Sequence, residues 1–141
     1  MVSFWLEKKL IDTSMEKEIV DTFCKILNDF IDDMYRSYPD NSLYMLKKAT
    51  EAMVYTHPRG VVENFTNCIS PYRSKILDSD ESFFLEGDLE KDISSGEYSF
   101  LLDELKKISG IWKDPNTSDK TKKSIWKYFH ILIKLSDKLK A

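Results

Sequence analysis

The sequence predicts an all-α fold, a single-domain compact helical bundle of about five to seven helices whose long first and last helices pack together. Three observations predict it. The strongest apolar patterns step by three and four residues, the period of a helix. No stretch alternates with period 2 for more than four residues, so no strand is expected. Glycine and proline are scarce, with four of each in 141 residues, so few positions interrupt a helix.

The clearest element is expected over about Ser14–Tyr38. Ile19, Val20, Phe23, Ile26, Leu27, Phe30, Ile31, Met34, Tyr35 and Tyr38 form one broad stripe. Thr13 and Glu16 read as a capping box at its start, and Pro39 as its end, because the residue before a proline is pushed out of the α region. A second helix is expected from an N-cap at Asn41 or Ser42, carrying Leu43, Leu46, Ala49 and Met53. His57-Pro58-Arg59-Gly60 reads as a break. A third helix follows with Val61, Val62, Phe65, Cys68 and Ile69, stopped by Pro71. Tyr72, Ile76 and Leu77 fit one or two turns, and Asp80-Glu81-Ser82 opens another that buries part of Phe83-Phe84-Leu85.

The stretch 87–97 is the most polar and reads as an exposed acidic loop, with Leu89 and Ile93 as anchors. Helix resumes near Tyr98 with Phe100, Leu101, Leu105, Ile108 and Trp112, and Gly110 with Asp114-Pro115 marks its end. The last helix is expected from Thr117 or Ser118 to Leu139, with Ile125, Trp126, Phe129, Leu132, Ile133, Ser136 and Leu139 on one arc. The deepest core positions are expected to be Phe23, Leu27, Phe30, Met34, Leu105, Trp126, Phe129 and Ile133. Residues 1–13 read as an N-terminal docking segment.

Composition excludes several classes. Hydrophobic residues make up 42% of the chain and aromatics 13%, far more than a disordered tail carries. No apolar run approaches the roughly 20 residues of a membrane span. The opening Met1 to Leu6 is too short for a secretory h-region and runs into Glu7-Lys8-Lys9, so no signal peptide is read and an intracellular location is expected. On that reading the sequons at Asn64 and Asn116 are chance matches. Cys24 and Cys68 each sit in an apolar helical pattern, away from any C-x-x-C, and read as reduced core thiols.

Charge is unevenly spread. Asp78 to Glu104 holds ten acids against Lys91, whereas Leu105 to Ala141 holds ten lysines against Asp114, Asp119 and Asp137. The plain reading is two segments folding against each other. On the last helix Lys120, Lys123, Lys127, Lys134 and Lys138 fall within about 60° of one another, opposite Ile125, Leu132 and Ile133. Ile131 lies in that stripe, with Tyr128 and Leu135 on its shoulder. Such a face either docks a partner or is covered by Phe4-Trp5-Leu6. On the docking reading the contact residues are Lys127, Tyr128, Ile131, Lys134 and Leu135, and Ile131 and Leu135 are expected outside the core.

Nucleic acid is the less favoured partner. Eighteen lysines stand against three arginines, Arg36, Arg59 and Arg73, although arginine supplies bidentate contacts to guanine and phosphate. The net charge of −3 also opposes sequence-independent attraction. Lysine excess fits an AT-rich coding genome. For catalysis the sequence offers two histidines, His57 and His130, without ligand spacing, and no phosphate-loop, dinucleotide or nucleophile-elbow motif. Asp29, Asp32 and Asp33 cluster on the first helix but read as solvated. No enzyme activity, metal or cofactor is expected.

Phe23-Cys24-Lys25-Ile26-Leu27-Asn28-Asp29-Phe30-Ile31-Asp32-Asp33-Met34, ending in Tyr38-Pro39, resembles the first helix of a group of small uncharacterised proteins. These belong to nucleocytoplasmic large DNA viruses, the giant-virus lineage. Ile108-Ser109-Gly110-Ile111-Trp112, then Lys123-Ser124-Ile125-Trp126-Lys127-Tyr128-Phe129 with Leu132, resembles their shared ending. The two ends cover about half the chain, and the matched residues are mostly of core type. The resemblance implies no activity. It implies a viral accessory or adaptor that binds another protein, viral or host, in the cytoplasmic viral factory or the virion. The alternative is a nucleic-acid-associated factor in viral transcription or packaging. A decoy of host death signalling like the viral Bcl-2 proteins fits size and helical content alone, and its hydrophobic groove and groove motif are not evident. Separately, an exposed Trp5 reads as either a homodimer seam or a docked tail.

Overall fold

From Val2 to Ser37 the chain contains neither glycine nor proline, and it forms one helix, α1 (Val2–Ser37), about 54 Å long at 1.5 Å per residue. The expected start at Ser14 is therefore a correction. Leu6, Glu7, Lys8, Lys9 and Leu10 are strong helix formers, so the helix passes through Thr13, and Glu16 instead meets Arg59 at 2.9 Å. A computed structural model describes residues 2–85 and 99–140, with side chains over 15–85 and 104–139. The expected acidic loop at 87–97 and the side chains of Phe4, Trp5 and Leu6 lie outside the described residues.

After Pro39, Asp40 caps α2 (Asn41–Thr56), its carboxylate accepting from Ser42 N at 2.6 Å. The cap is thus one residue earlier than expected, and that backbone bond holds the Asp40 carboxyl below its usual range. The buried stripe of α2 is Leu43, Leu46 and Thr50. Ala49, expected inside, is exposed, because the helix turns its apolar face toward Thr50. The break at 57–60 shrinks to His57, since Pro58 occupies the first turn of α3 (Pro58–Ile69), where its missing N–H costs nothing. A 3₁₀ turn, Ser70–Tyr72, leads into α4 (Arg73–Leu77), and Ser79 at φ 52° reverses the chain toward α5 (Ser82–Leu85). The α6 helix (Ser99–Lys113) runs through Gly110 rather than ending there. The last helix is α7 (Asp119–Lys140), opened by Ser118, whose hydroxyl accepts from Thr121 N at 3.1 Å.

Every described element is helical, and no strand occurs among the described residues. The first and last helices pack antiparallel: Phe30 meets Tyr128 and Phe129, and Ser37 lies near Lys120. One core joins Phe23, Leu27, Phe30 and Met34 of α1 to Val61, Phe65 and Ile69 of α3, Leu105 and Ile108 of α6, and Ile125, Phe129 and Ile133 of α7. Phe83 and Phe84 extend it as an aromatic cluster, with Phe84 stacked 4.6 Å from Trp112. Cys24 and Cys68 are buried free thiols whose ionisation burial pushes up to about 11.

Trp126 is the exception among the expected core residues. It is half-buried at the edge of this cluster, against Phe84, Trp112 and His130. Its position on α7 points toward the short helices α4 and α5, which cover only part of a large indole.

The loop from α6 to α7 is tied by a relay. Tyr38 OH donates to Thr117 Oγ1 at 2.9 Å, and Thr117 donates to the Ile111 carbonyl at 2.5 Å. The end of α1 thereby fixes the angle at which α7 begins.

Candidate functional site

The amphipathic pattern of α7 places Ile125, Phe129, Leu132, Ile133 and Ser136 in the core, so the opposite face must meet solvent. Lys120, Lys123, Lys127, Lys134 and Lys138 are all exposed there. Among the described residues none of the five forms an ion pair. Ile131 sits on the border of this face, half-buried and outside the apolar core. At the start of α7, two turns or more before Ile131, a groove of about 350 Å³ lies between α1 and α7, lined by Asp33, Arg36, Lys120 and Ser124.

The expected contact residues divide. Lys127 and Lys134 are exposed, and Ile131 is half-buried at the edge of their face. Tyr128 does not belong to that face: its ring stacks on Phe30, and its hydroxyl donates to the Asp33 carboxylate. Burial and that carboxylate hold the phenol protonated well above its ordinary range. Leu135 likewise packs against the core. Tyr128 points toward α1, which lies along that shoulder of α7. On the opposite shoulder Arg73 of α4 grips Asp137 with two bonds, at 2.8 and 2.6 Å.

The acids of α1 are engaged rather than clustered. Asp29 pairs with Lys25 at 2.9 Å, Asp32 with Lys47 at 3.5 Å, and Asp33 with Tyr128. No group of three His, Cys, Asp or Glu among the described residues is placed to hold a metal ion. His130 donates from Nε2 to the Ile76 carbonyl at 2.7 Å, and His57 joins α2 to α3, so both histidines serve helix junctions.

Two features went unread in the sequence. The outer face of α2 exposes Tyr55 (90%), Met45 (68%) and Tyr44 (43%) around Ala49 and Ala52. The signal was the spacing Met45-Ala49-Ala52, which lies opposite Leu43-Leu46-Thr50 on a helical wheel. The second is Glu104, buried in the core beside Thr50. Its i, i+4 relation to Ile108 would have found it, had a carboxyl been admitted on an apolar stripe. Among the described residues no helix is long and apolar enough to cross a membrane.

Comparison of the chain with protein-family models, with curated proteins and with solved structures finds no match.

Proposed function

We propose that this protein is a non-enzymatic viral adaptor or accessory protein that binds an acidic protein partner on the lysine face of α7. The observation that carries the reading is the isolation of that charge. Five lysines share one exposed face, among the described residues none has an anionic partner, and Ile131 supplies an apolar contact at their edge. α7 packs on α1, α3 and α4, and its lysines lie on the face turned away from that packing. Complementary charge speeds encounter and sets register, and a central apolar side chain supplies the durable contact. Binding rather than catalysis is supported by His130, whose ring is taken up by the Ile76 carbonyl at 2.7 Å. The viral assignment rests on the sequence resemblance of the two ends of the chain.

The test is cross-linking and affinity capture from infected cells, with the wild type beside a Lys127→Glu, Lys134→Glu variant. The reading requires a protein retained by the wild type and lost by the variant, with only moderate weakening as salt rises. Retention of nucleic acid, with an affinity that falls steeply between low and physiological salt, would replace it with the nucleic-acid reading.

A further inference from the structure

Glu104 of α6 is 3% exposed and Thr50 of α2 is 0% exposed, and their side chains are hydrogen-bonded to each other. Thr50 Oγ1 also lies 2.9 Å from the Leu46 carbonyl. A hydroxyl has one proton to give. With the carboxyl neutral, both bonds form at once: Glu104 donates to Thr50, and Thr50 donates to Leu46. With it ionised, the single hydroxyl proton serves one acceptor or the other.

The surroundings favour the neutral form. The carboxyl borders a cavity of about 20 Å³, walled by Leu27 and Phe30 from α1, Phe129 and Leu132 from α7, and Cys68 from α3. Cys68 is the titratable group that α3 turns toward it, and burial keeps that thiol neutral. From α2 the neighbouring cation, Lys47, is turned away to Asp32 and Glu51, at 3.5 Å each. Among the described residues no lysine, arginine or histidine offsets a charge at Glu104, and burial pushes its carboxyl up to about 8.

We propose that Glu104 and Thr50 form a proton-dependent latch between α6 and α2. The neutral carboxyl holds α2 closed over the core, and the ionised one draws water into the adjoining cavity and lets α2 open. Opening uncovers Leu43, Leu46 and Thr50. The latch is independent of whatever the lysine face binds.

Its sign follows from linkage. In the open state Glu104 regains ordinary carboxylate acidity, near 4.5, so the closed state holds a proton that the open state releases. Closure is therefore fully favoured below that value and weakens as pH rises toward about 8. Between pH 5 and 7 the protection of α2 amides should fall by about a hundredfold, roughly tenfold per pH unit.

The experiment is amide hydrogen exchange on the full chain across this range, corrected for intrinsic exchange, beside Glu104→Gln. Carboxyl-carbon NMR follows the Glu104 proton directly. The latch requires Glu104 to be protonated at pH 6, α2 protection to fall with pH, and the glutamine variant to stay protected throughout. An ionised Glu104 at pH 6 overturns it. So does protection that ignores pH, or a glutamine variant that loses protection as the wild type does.

Discussion

The ring of Tyr128 lies 3° from parallel to that of Phe30, with centroids 4.7 Å apart, and joins the last helix to the first. Beyond the rings the Tyr128 hydroxyl donates to Asp33, so the seam between α1 and α7 ends in a polar clasp. Stacked rings contribute roughly 1 kcal/mol beyond the area they bury. The clasp adds a hydrogen bond to a charged acceptor.

Removing these in turn should separate them. Tyr128→Phe keeps the stack and loses the clasp, so chemical denaturation should show a loss of about 1–2 kcal/mol. Tyr128→Ala removes both and should cost about 3 kcal/mol. Equal losses in the two variants would mean that the ring stack contributes nothing.

Gly110 should be improvable. It lies inside α6, exposed, and a Cβ built there meets nothing within 4 Å. A glycine in a helix interior costs roughly 0.5–1 kcal/mol relative to alanine. Gly110→Ala should therefore raise the thermal midpoint, and a lowered one would place an unseen neighbour against that face.

Which parts of this fold were legible depended on how many neighbours an element has. The stripes of α1 and α7 located the deepest residues, Phe23, Leu27, Phe30, Phe129 and Ile133, because the centre of an apolar arc faces the core whatever surrounds it. The width of an arc is set by the adjoining helices. α1 covers the shoulder carrying Tyr128, which read as surface, while the opposite edge leaves Trp126 half-open, which read as core. Helix ends misled where a local signal met a stronger context. Thr13 and Glu16 have capping spacing but lie within good helix formers, and Gly110 signals an end that Ile111 and Trp112, both buried, carry past. Glu104 shares a stripe with Ile108, but a carboxyl is not expected on an apolar face, and the partner that satisfies it, Thr50, lies a helix away.

That same residue carries a stability penalty. At pH 7 the unfolded chain has Glu104 ionised, whereas the folded chain holds it neutral, so folding takes up a proton and stability declines with pH from about 4.5 to about 8. Glu104→Gln keeps the shape and a hydrogen-bonding group for Thr50 without this cost. It should gain about 2–3 kcal/mol at pH 7 and little at pH 4, read by denaturant titration at the two values. A destabilised glutamine variant at pH 7 would show that the carboxyl is charged in the fold and paired.

The lysine face yields the last prediction, and there the structure separates two residues that looked alike. Both are half-buried, but Leu135 packs against the core, whereas Ile131 lies beside the lysines and outside it. Ile131→Asp should leave the thermal midpoint nearly unchanged, since a surface substitution shifts stability by about 0.5 kcal/mol or less. Leu135→Ser should lower it, because it removes apolar contact with the core. On partner binding the order reverses. Loss of an apolar anchor in an interface commonly costs about 2 kcal/mol or more, so Ile131→Asp should weaken capture at least about thirtyfold, the equivalent of that energy. Leu135→Ser should bind normally at temperatures where it is folded. If Ile131→Asp unfolds the protein, the residue is part of the core. If it folds and binds as the wild type does, Ile131 is no anchor and the lysines alone must account for any binding.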